Sequence, residues 1–372
     1  MPVPLTKLSA AEYDHILHGQ MTPTMAVRYL REGRILLRSF AETLRTMYPA
    51  PDLAERLVNF MLSAEPGSSH ESVSRRVRNW LSGRNLPTAR EDFYRIAFAL
   101  QLSEQQLNYL LGAFTGYGVQ YRTGWEAVYV WFLRNCRSFQ EAREFFATLP
   151  PARGAEQLRQ GWTSQLTHEV QNEFLMVQTL QDLRACYLKN LDCFGRLHLR
   201  SYYYFERYLD QLIHPSPAWA GEEEQNYSIE TVMSNYLSLQ MPAARKRSSY
   251  TLIQKLIKQN WPNATALKNI RNHQEDVPRK LLMLLYVVTE NSLGASDAYR
   301  ELDESYITLE ERVEDHWWTL NAMLADCGMA QLDTRNPFDW LILYAISADE
   351  DEFMSDRMEQ VIASLFEEDA PH

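Results

Sequence analysis

The sequence predicts an all-α, multi-helical fold with no substantial β-sheet, and three observations carry that prediction. Glycine is scarce, 14 in 372 residues, whereas folds built on strands and Gly-rich loops need many left-handed turns. Helix-start signals recur from one end of the chain to the other. Strict apolar/polar alternation, the mark of a half-buried strand, is hard to find anywhere.

The start signals are capping boxes. A Ser or Thr hydroxyl receives a backbone N–H three residues on, and a Glu or Gln at that position reaches back. The pattern occurs at Ser9–Glu12, Ser68–Glu71, Thr88–Glu91, Ser103–Gln106, Ser138–Glu141 and Thr308–Glu311. Two stretches break the helical pattern with Pro, Gly and charge, LPPARGAEQLRQG (149–161) and HPSPAWAGEEEQN (214–226). They predict an N-terminal helical domain over 1–148 and a middle aromatic-rich unit over 162–213. A basic unit over 226–300 and an acidic C-terminal unit over 301–372 follow. Within the middle unit, the aromatics of SYYYFERY (201–208) point in too many directions on one helix to make a single stacking platform, so they predict packing. Asn336 followed by Pro337 predicts an N-cap and first residue of a helix burying Phe338, Trp340, Leu341 and Tyr344.

Charge is unevenly spread. Residues 301–372 hold 19 Asp or Glu against three Arg, a balance of −16; with −11 for the whole chain, residues 1–300 carry +5. An acidic end on a basic body predicts an acidic face that docks on a basic partner or on the chain's own basic patch. The longest apolar run, Leu281 to Val288, is far short of the ~20 residues that cross a bilayer, and the N-terminus lacks the charge and apolar pattern of a secretion signal. Cys136, Cys186, Cys193 and Cys327 form no CxxC pair and read as reduced, buried thiols. The expectation is a cytoplasmic protein that does not use a membrane.

The informative segment is SSHESVSRRVRNWLSGRNLPTAREDFYRIAFALQLSEQQLNYLLG (68–112). Val73, Val77, Trp80 and Leu81 fall on one stripe of a short helix, 71–82, whose opposite face carries Arg75, Arg78, Asn79 and Ser82, groups able to donate to phosphates and base edges. Gly83 stops it. A second helix follows Pro87 and Thr88 with Phe93, Ile96, Ala97 and Leu100 inward, and a third begins at Ser103 and buries Leu107, Leu110 and Leu111. This stretch resembles the helix-turn-helix domain of the phage-repressor/Cro-like (xenobiotic-response-element) regulators. The resemblance rests on Trp80 to Arg84, Pro87–Thr88, Ile96 to Leu100, and Ser103 with its leucines. It implies that helix 71–82 is a recognition helix, with Ser72, Arg75, Arg78 and Asn79 toward the major groove and Arg84 near the backbone. One departure is the stretch SAEPGSSHE after the preceding candidate helix, Leu53 to Leu62, which is long for the tight turn of that class.

A second segment, 249–292, follows a similar plan. A basic helix over 250–260 leads through Trp261–Pro262–Asn263 to a short helix with Leu267 and Ile270 inward and Thr265, Lys268, Asn269 and Asn272 outward. Asn269 and Ile270 hold the places of Asn79 and Trp80. From 242 to 280 there are nine cations (Arg245, Lys246, Arg247, Lys255, Lys258, Lys268, Arg271, Arg279, Lys280) against Glu275 and Asp276, a balance of +7; residues 68–96 carry +3. Two basic units predict contact with double-stranded DNA. Arg75, Arg78, Asn79, Lys268, Asn269 and Arg271 would reach it, while Arg84, Arg245, Lys246 and Arg247 would hold phosphates. The function expected is a DNA-binding transcriptional regulator of bacterial or mobile-element type. The alternative is a helical protein–protein interaction scaffold whose helix-turn-helix units do not bind DNA, with a protein partner or self-association.

No catalytic, metal or cofactor site is expected. His15 and His18 beside Asp14 and Glu12 lack further ligands at metal-site spacing and read as surface residues. Cys136, between Arg134 and Arg137, has no His near in sequence to act as its base. Phosphate loops and nucleophile elbows are absent. The acids of 348–360 suit the first turn of a helix.

Overall fold

The computed structural model describes residues 7–19, 21–151, 164–195, 197–215, 226–242, 250–293, 308–348 and 352–367. Every regular element among them is a helix, with one isolated antiparallel bridge, Tyr117 to Met329. The chain divides into two compact units. One comprises chiefly Arg38–Leu199 with Gly328–Ala330; the other comprises Pro4–Leu37, Arg200–Cys327 and Gln331–His372.

The first two helices, α1 (Lys7–His18) and α2 (Pro23–Arg31), belong to the second unit, and the first contains α3 (Phe40–Met47), α4 (Leu53–Ala64), α5 (His70–Leu81), α6 (Arg90–Leu100), α7 (Glu104–Thr115), α8 (Gly124–Arg134), α9 (Phe139–Ala147), α10 (Ser164–Met176) and α11 (Leu180–Lys189). The predicted stripes are the buried ones. Val73, Val77 and Trp80 on α5, Phe93, Ile96, Ala97 and Leu100 on α6, and Leu107, Leu110 and Leu111 on α7 join one core. α8 is buried all round from Ala127 to Leu133, which makes it the central helix of the unit. Truncating a residue such as Trp80 in this core costs on the order of 3–5 kcal/mol.

The second unit contains α1 (Lys7–His18), α2 (Pro23–Arg31), α12 (Leu199–Ile213), α13 (Ile229–Val232, running into a π turn at Met233–Leu237), α14 (Leu252–Lys258), α15 (Ala264–Arg271), α16 (Arg279–Leu293), α17 (Leu309–Asp326), α18 (Pro337–Ile346) and α19 (Met354–Phe366). α18 is apolar on every side and wholly buried, with α1, α14, α16, α17 and α19 packed on it. Its N-cap is Asn336, whose side chain accepts the N–H groups of Phe338 and Asp339. On α12, Tyr202, Phe205 and Tyr208 are core residues while Tyr203 is exposed. Arg357 is buried, sharing acceptors on Tyr344 and Met21 and pairing with Glu352 at 2.6 Å.

Three capping boxes stand as predicted, at Ser103, Ser138 and Thr308. Three do not. The hydroxyl capping α5 belongs to Ser69, one residue beyond Ser68. α6 starts after Ala89, with no side-chain cap, so Thr88 is displaced from the cap position. Ser9 lies inside α1, and Glu12 accepts instead from the Tyr29 hydroxyl and the Leu36 N–H. Two further boxes, Thr179–Asp182 and Thr251–Gln254, complete the set.

Candidate nucleic-acid interface

The α4–α5 corner is where the chain departs from a tight-turn hairpin. α4 extends to Ala64 and α5 begins at His70, so the connection shortens to Glu65–Ser69. A salt-bridge brace holds it. Both carboxylate oxygens of Glu65 accept from Arg76 Nη2 of α5 at 2.8 Å, and one accepts from Arg95 Nη1 of α6 at 2.9 Å. Arg95 also pairs with Asp92 at 3.0 Å and Glu91 at 3.1 Å, and Arg76 lies over the Trp80 ring. Burial raises the Asp92 carboxyl above the usual range, with Arg95 and Arg76 opposing the rise. Arg143 of α9 donates to the Ala64 carbonyl at 3.0 Å, closing the end of α4.

These partners sort the arginines of 68–96. Arg76 and Arg95 are spent on Glu65, and Arg90 on Glu126. Ser72, Arg75, Arg78 and Arg84 are exposed and Asn79 is half-buried; among the described residues none of the three arginines has an ion-pair partner. Beside them an open groove of about 520 Å³ runs between α4 and α5, floored by Val58, Val77 and Leu81 and edged by Asn59, His70 and Arg78. The end of α5 is fixed by Gly83 at φ 72, which lets the Arg84 N–H return to the Asn79 carbonyl at 3.0 Å.

No family model, no curated protein and no solved structure matches this chain.

The 249–292 segment forms α14, α15 and the start of α16, but its cations are used differently. Lys268 on α15 is ion-paired with Glu230 of α13, and Asn269 donates to Glu275 at 2.8 Å. Arg271 is exposed with no ion pair among the described residues, as is Lys255. Arg245, Lys246 and Arg247 lie outside the described residues. Lys258 donates to the Pro242 carbonyl and lies over the Tyr250 ring. Arg279 makes a two-pronged pair with Asp339 of α18, at 2.7 and 2.8 Å. The ammonium of Lys280 donates to the carbonyls of Leu256, Ile257 and Gln259, which end α14, and burial pushes its pKa down to about 7 against the pull of Asp339. Of the six described cations, Lys258, Arg279 and Lys280 are turned inward and Lys268 is paired at the surface, and the carboxylate that α18 contributes is the buried Asp339.

Sequence reasoning passed over the residues that organise both corners: Glu65, Glu126 and Asp339. Glu65 carried a signal, a lone carboxylate between an apolar helix and a Pro–Gly turn, facing a basic helix. Glu126 and Asp339 each sit third in a helix that follows an irregular loop, a position sequence assigns to the helix dipole before any partner.

The groups set aside earlier have ordinary surroundings. His15 and His18 are exposed, and His18 lies 3.8 Å from Glu310. Among the described residues no group of three or more His, Cys, Asp or Glu could hold a metal ion, and no helix is long and apolar enough to cross a membrane. Of the four thiols expected to be buried, Cys327 is buried, Cys186 and Cys193 are half-buried and Cys136 is exposed, the last at a left-handed turn position (φ 53) after α8. Its neighbours are engaged elsewhere, Arg134 with Glu104 and Arg137 with Glu141.

Proposed function

We propose that this chain binds double-stranded DNA as a transcriptional regulator, with α5 as the recognition helix of a helix-turn-helix unit. One observation carries the reading. After every internal partner has been assigned, Arg75, Arg78 and Arg84 are the arginines of the 68–96 unit left exposed without a carboxylate among the described residues, and Ser72 and Asn79 lie on the same helix. Arg and Asn are the residue types that form two-pronged contacts with guanine and adenine edges, and Arg84 suits a phosphate. A bidentate Glu65 brace keeps α5 in a fixed attitude, so docking costs little ordering entropy.

Titrating a fluorescently labelled duplex of mixed sequence with the full chain, at rising salt, tests the reading. Neutralising about three phosphates gives a log–log slope near −2.7, so affinity falls by about 40-fold between roughly 50 and 200 mM salt. Absence of binding at the low-salt end, or binding indifferent to salt, refutes it.

The second reading, a helical interaction scaffold, is favoured by a separate observation. α15 has its Lys268 and Asn269 tied to Glu230 and Glu275. With two donors satisfied internally and Arg271 its one unpaired cation among the described residues, α15 has less to offer a polyanion and suits a protein partner better.

A further inference from the structure

The two units share a set of hydrogen bonds, at the same spacing in the turn after α5 and α15 and in the stretch that ends on a buried carboxylate. The arginine that joins them lies 36 residues from its carboxylate in one unit and 60 in the other. α5 and α15 both end with a left-handed residue, Gly83 (φ 72) and His273 (φ 57). In both, the next N–H turns back to an asparagine carbonyl, Arg84 to Asn79 at 3.0 Å and Gln274 to Asn269 at 2.9 Å. The helix that follows opens with an arginine in each unit, Arg90 on α6 and Arg279 on α16. Each arginine grips a carboxylate with two nitrogens: Arg90 holds Glu126 at 2.7 and 2.8 Å, and Arg279 holds Asp339 at 2.7 and 2.8 Å. Each also donates to a loop carbonyl, Gly118 at 2.7 Å and Gln331 at 3.0 Å.

The match extends through the loop. Glu126 accepts the N–H of Gln120 and Asp339 that of Asp333, six residues back in each case, at 3.0 and 2.9 Å. Asn108 on α7 accepts the N–H of Val119, and Asn321 on α17 that of Leu332, eleven residues on in each case, both at 2.8 Å. Both asparagines follow a fully buried leucine, Leu107 and Leu320. Glu126 and Asp339 each stand third in their helix, α8 and α18, and those helices are the buried centres of their units. Independent helical hairpins have no reason to share an asparagine, three consecutive loop positions and a carboxylate in one register, with an arginine at the head of an earlier helix gripping that carboxylate.

We infer that the chain is a tandem duplication of one helical module, and that the first copy, whose α5 keeps more unpaired cations than α15 among the described residues, is the one that engages a duplex, so one duplex is bound per chain through α5. This rests on the DNA reading above and deepens it. The scaffold of the module is retained in both copies, while the outward donors have diverged. On α5, Arg75 and Arg78 stay unpaired among the described residues; on α15, Lys268 and Asn269 are paired at home and Arg271 is the one unpaired cation among them. The bound site is then a single asymmetric stretch of DNA rather than two equivalent half-sites.

The test compares matched double substitutions in the full chain, Arg75→Ala with Arg78→Ala in the first copy and Lys268→Ala with Arg271→Ala in the second, by anisotropy against one mixed-sequence duplex and by stoichiometric titration. All four side chains are at the surface, and circular dichroism confirms that the folds are equal. The first pair is expected to weaken binding by about 100-fold, two base or phosphate contacts at a tenfold each. The second pair is expected to change it by less than about twofold, with one duplex per chain at saturation. A tenfold or larger loss from the second pair, or two duplexes per chain, overturns the single-site inference while leaving DNA binding intact. Failure of the unsubstituted chain to bind overturns both, and is read from that arm alone.

Discussion

α5 and α15 occupy equivalent places in the two units and differ in where their counter-charges lie. For α5, Glu65 is taken up by Arg76 and Arg95, and the outward arginines are left to solvent, with Glu71 on the same helix and Glu55 across the groove not paired to them. For α15, Glu230 and Glu275 come forward to Lys268 and Asn269. The segment with the larger formal surplus, +7 against +3, thus shows fewer unpaired cations at its described surface. Formal charge counts what a segment owns, and the field outside depends on which charges have partners.

That comparison breaks first if the two buried staples prove unequal. Glu126→Ala and Asp339→Ala each remove a buried carboxylate and strand a half-buried arginine, and each is expected to cost about 3–5 kcal/mol by urea denaturation. A loss below about 1 kcal/mol in one unit alone would mean the shared geometry does not carry shared weight. A smaller effect is expected from Glu65→Gln, which removes the charge from the brace while keeping its shape. About 2 kcal/mol should be lost, and duplex affinity should fall even though no outward residue has changed; retained affinity would show that the attitude of α5 is set elsewhere. Smaller again, Glu230→Gln frees Lys268 in the second unit. Duplex binding at low salt is expected to rise a few-fold with no measurable change in thermal midpoint, because the pair is exposed.

The smallest expected effect is a pH dependence. His316 on α17 is held against the Tyr286 hydroxyl at 2.7 Å, and burial, aided by Arg312 and opposed by Asp315, lowers its pKa from 6.5. The unfolded chain therefore takes up a proton first as pH falls below 6.5, and stability is lost from there down to the folded-state value. Thermal midpoints at pH 7.5 and 5.5 should differ more for the natural chain than for His316→Gln; equal differences would discard the histidine as the cause.

Much of the fold was legible because helix signals are local. The buried stripes of α5, α6 and α7, the Asn336 cap and the boxes at Ser103, Ser138 and Thr308 all depend on residues within a few positions of one another. Where two hydroxyls compete, as at Ser68 and Ser69, the pattern alone does not choose, and the backbone exit from the Gly67 turn does. The outward placement of Ser72, Arg75 and Arg78 was equally readable, since it follows from the stripe opposite. The fates of Lys268, Arg279 and Lys280 were not. Their partners, Glu230, Asp339 and three helix-end carbonyls, come from other elements, and a carboxylate 60 residues from its arginine leaves no periodic trace.

The brace at Glu65 acts from the first residue after α4, and the tip beyond it closes a turn on the same residue, with the Ser68 N–H and hydroxyl donating to the Glu65 carbonyl and carboxylate. Pro66 and Gly67 are exposed, Gly67 adopts φ 101, and the space around its α-carbon is open. Residues spliced between them would lengthen the tip at the loss of that turn, with the Arg76 and Arg95 pairs of Glu65 left to seat the helices. A fluorophore or affinity tag placed there would stand beside the N-terminus of α5, reporting on whatever approaches that helix without altering the way it is held.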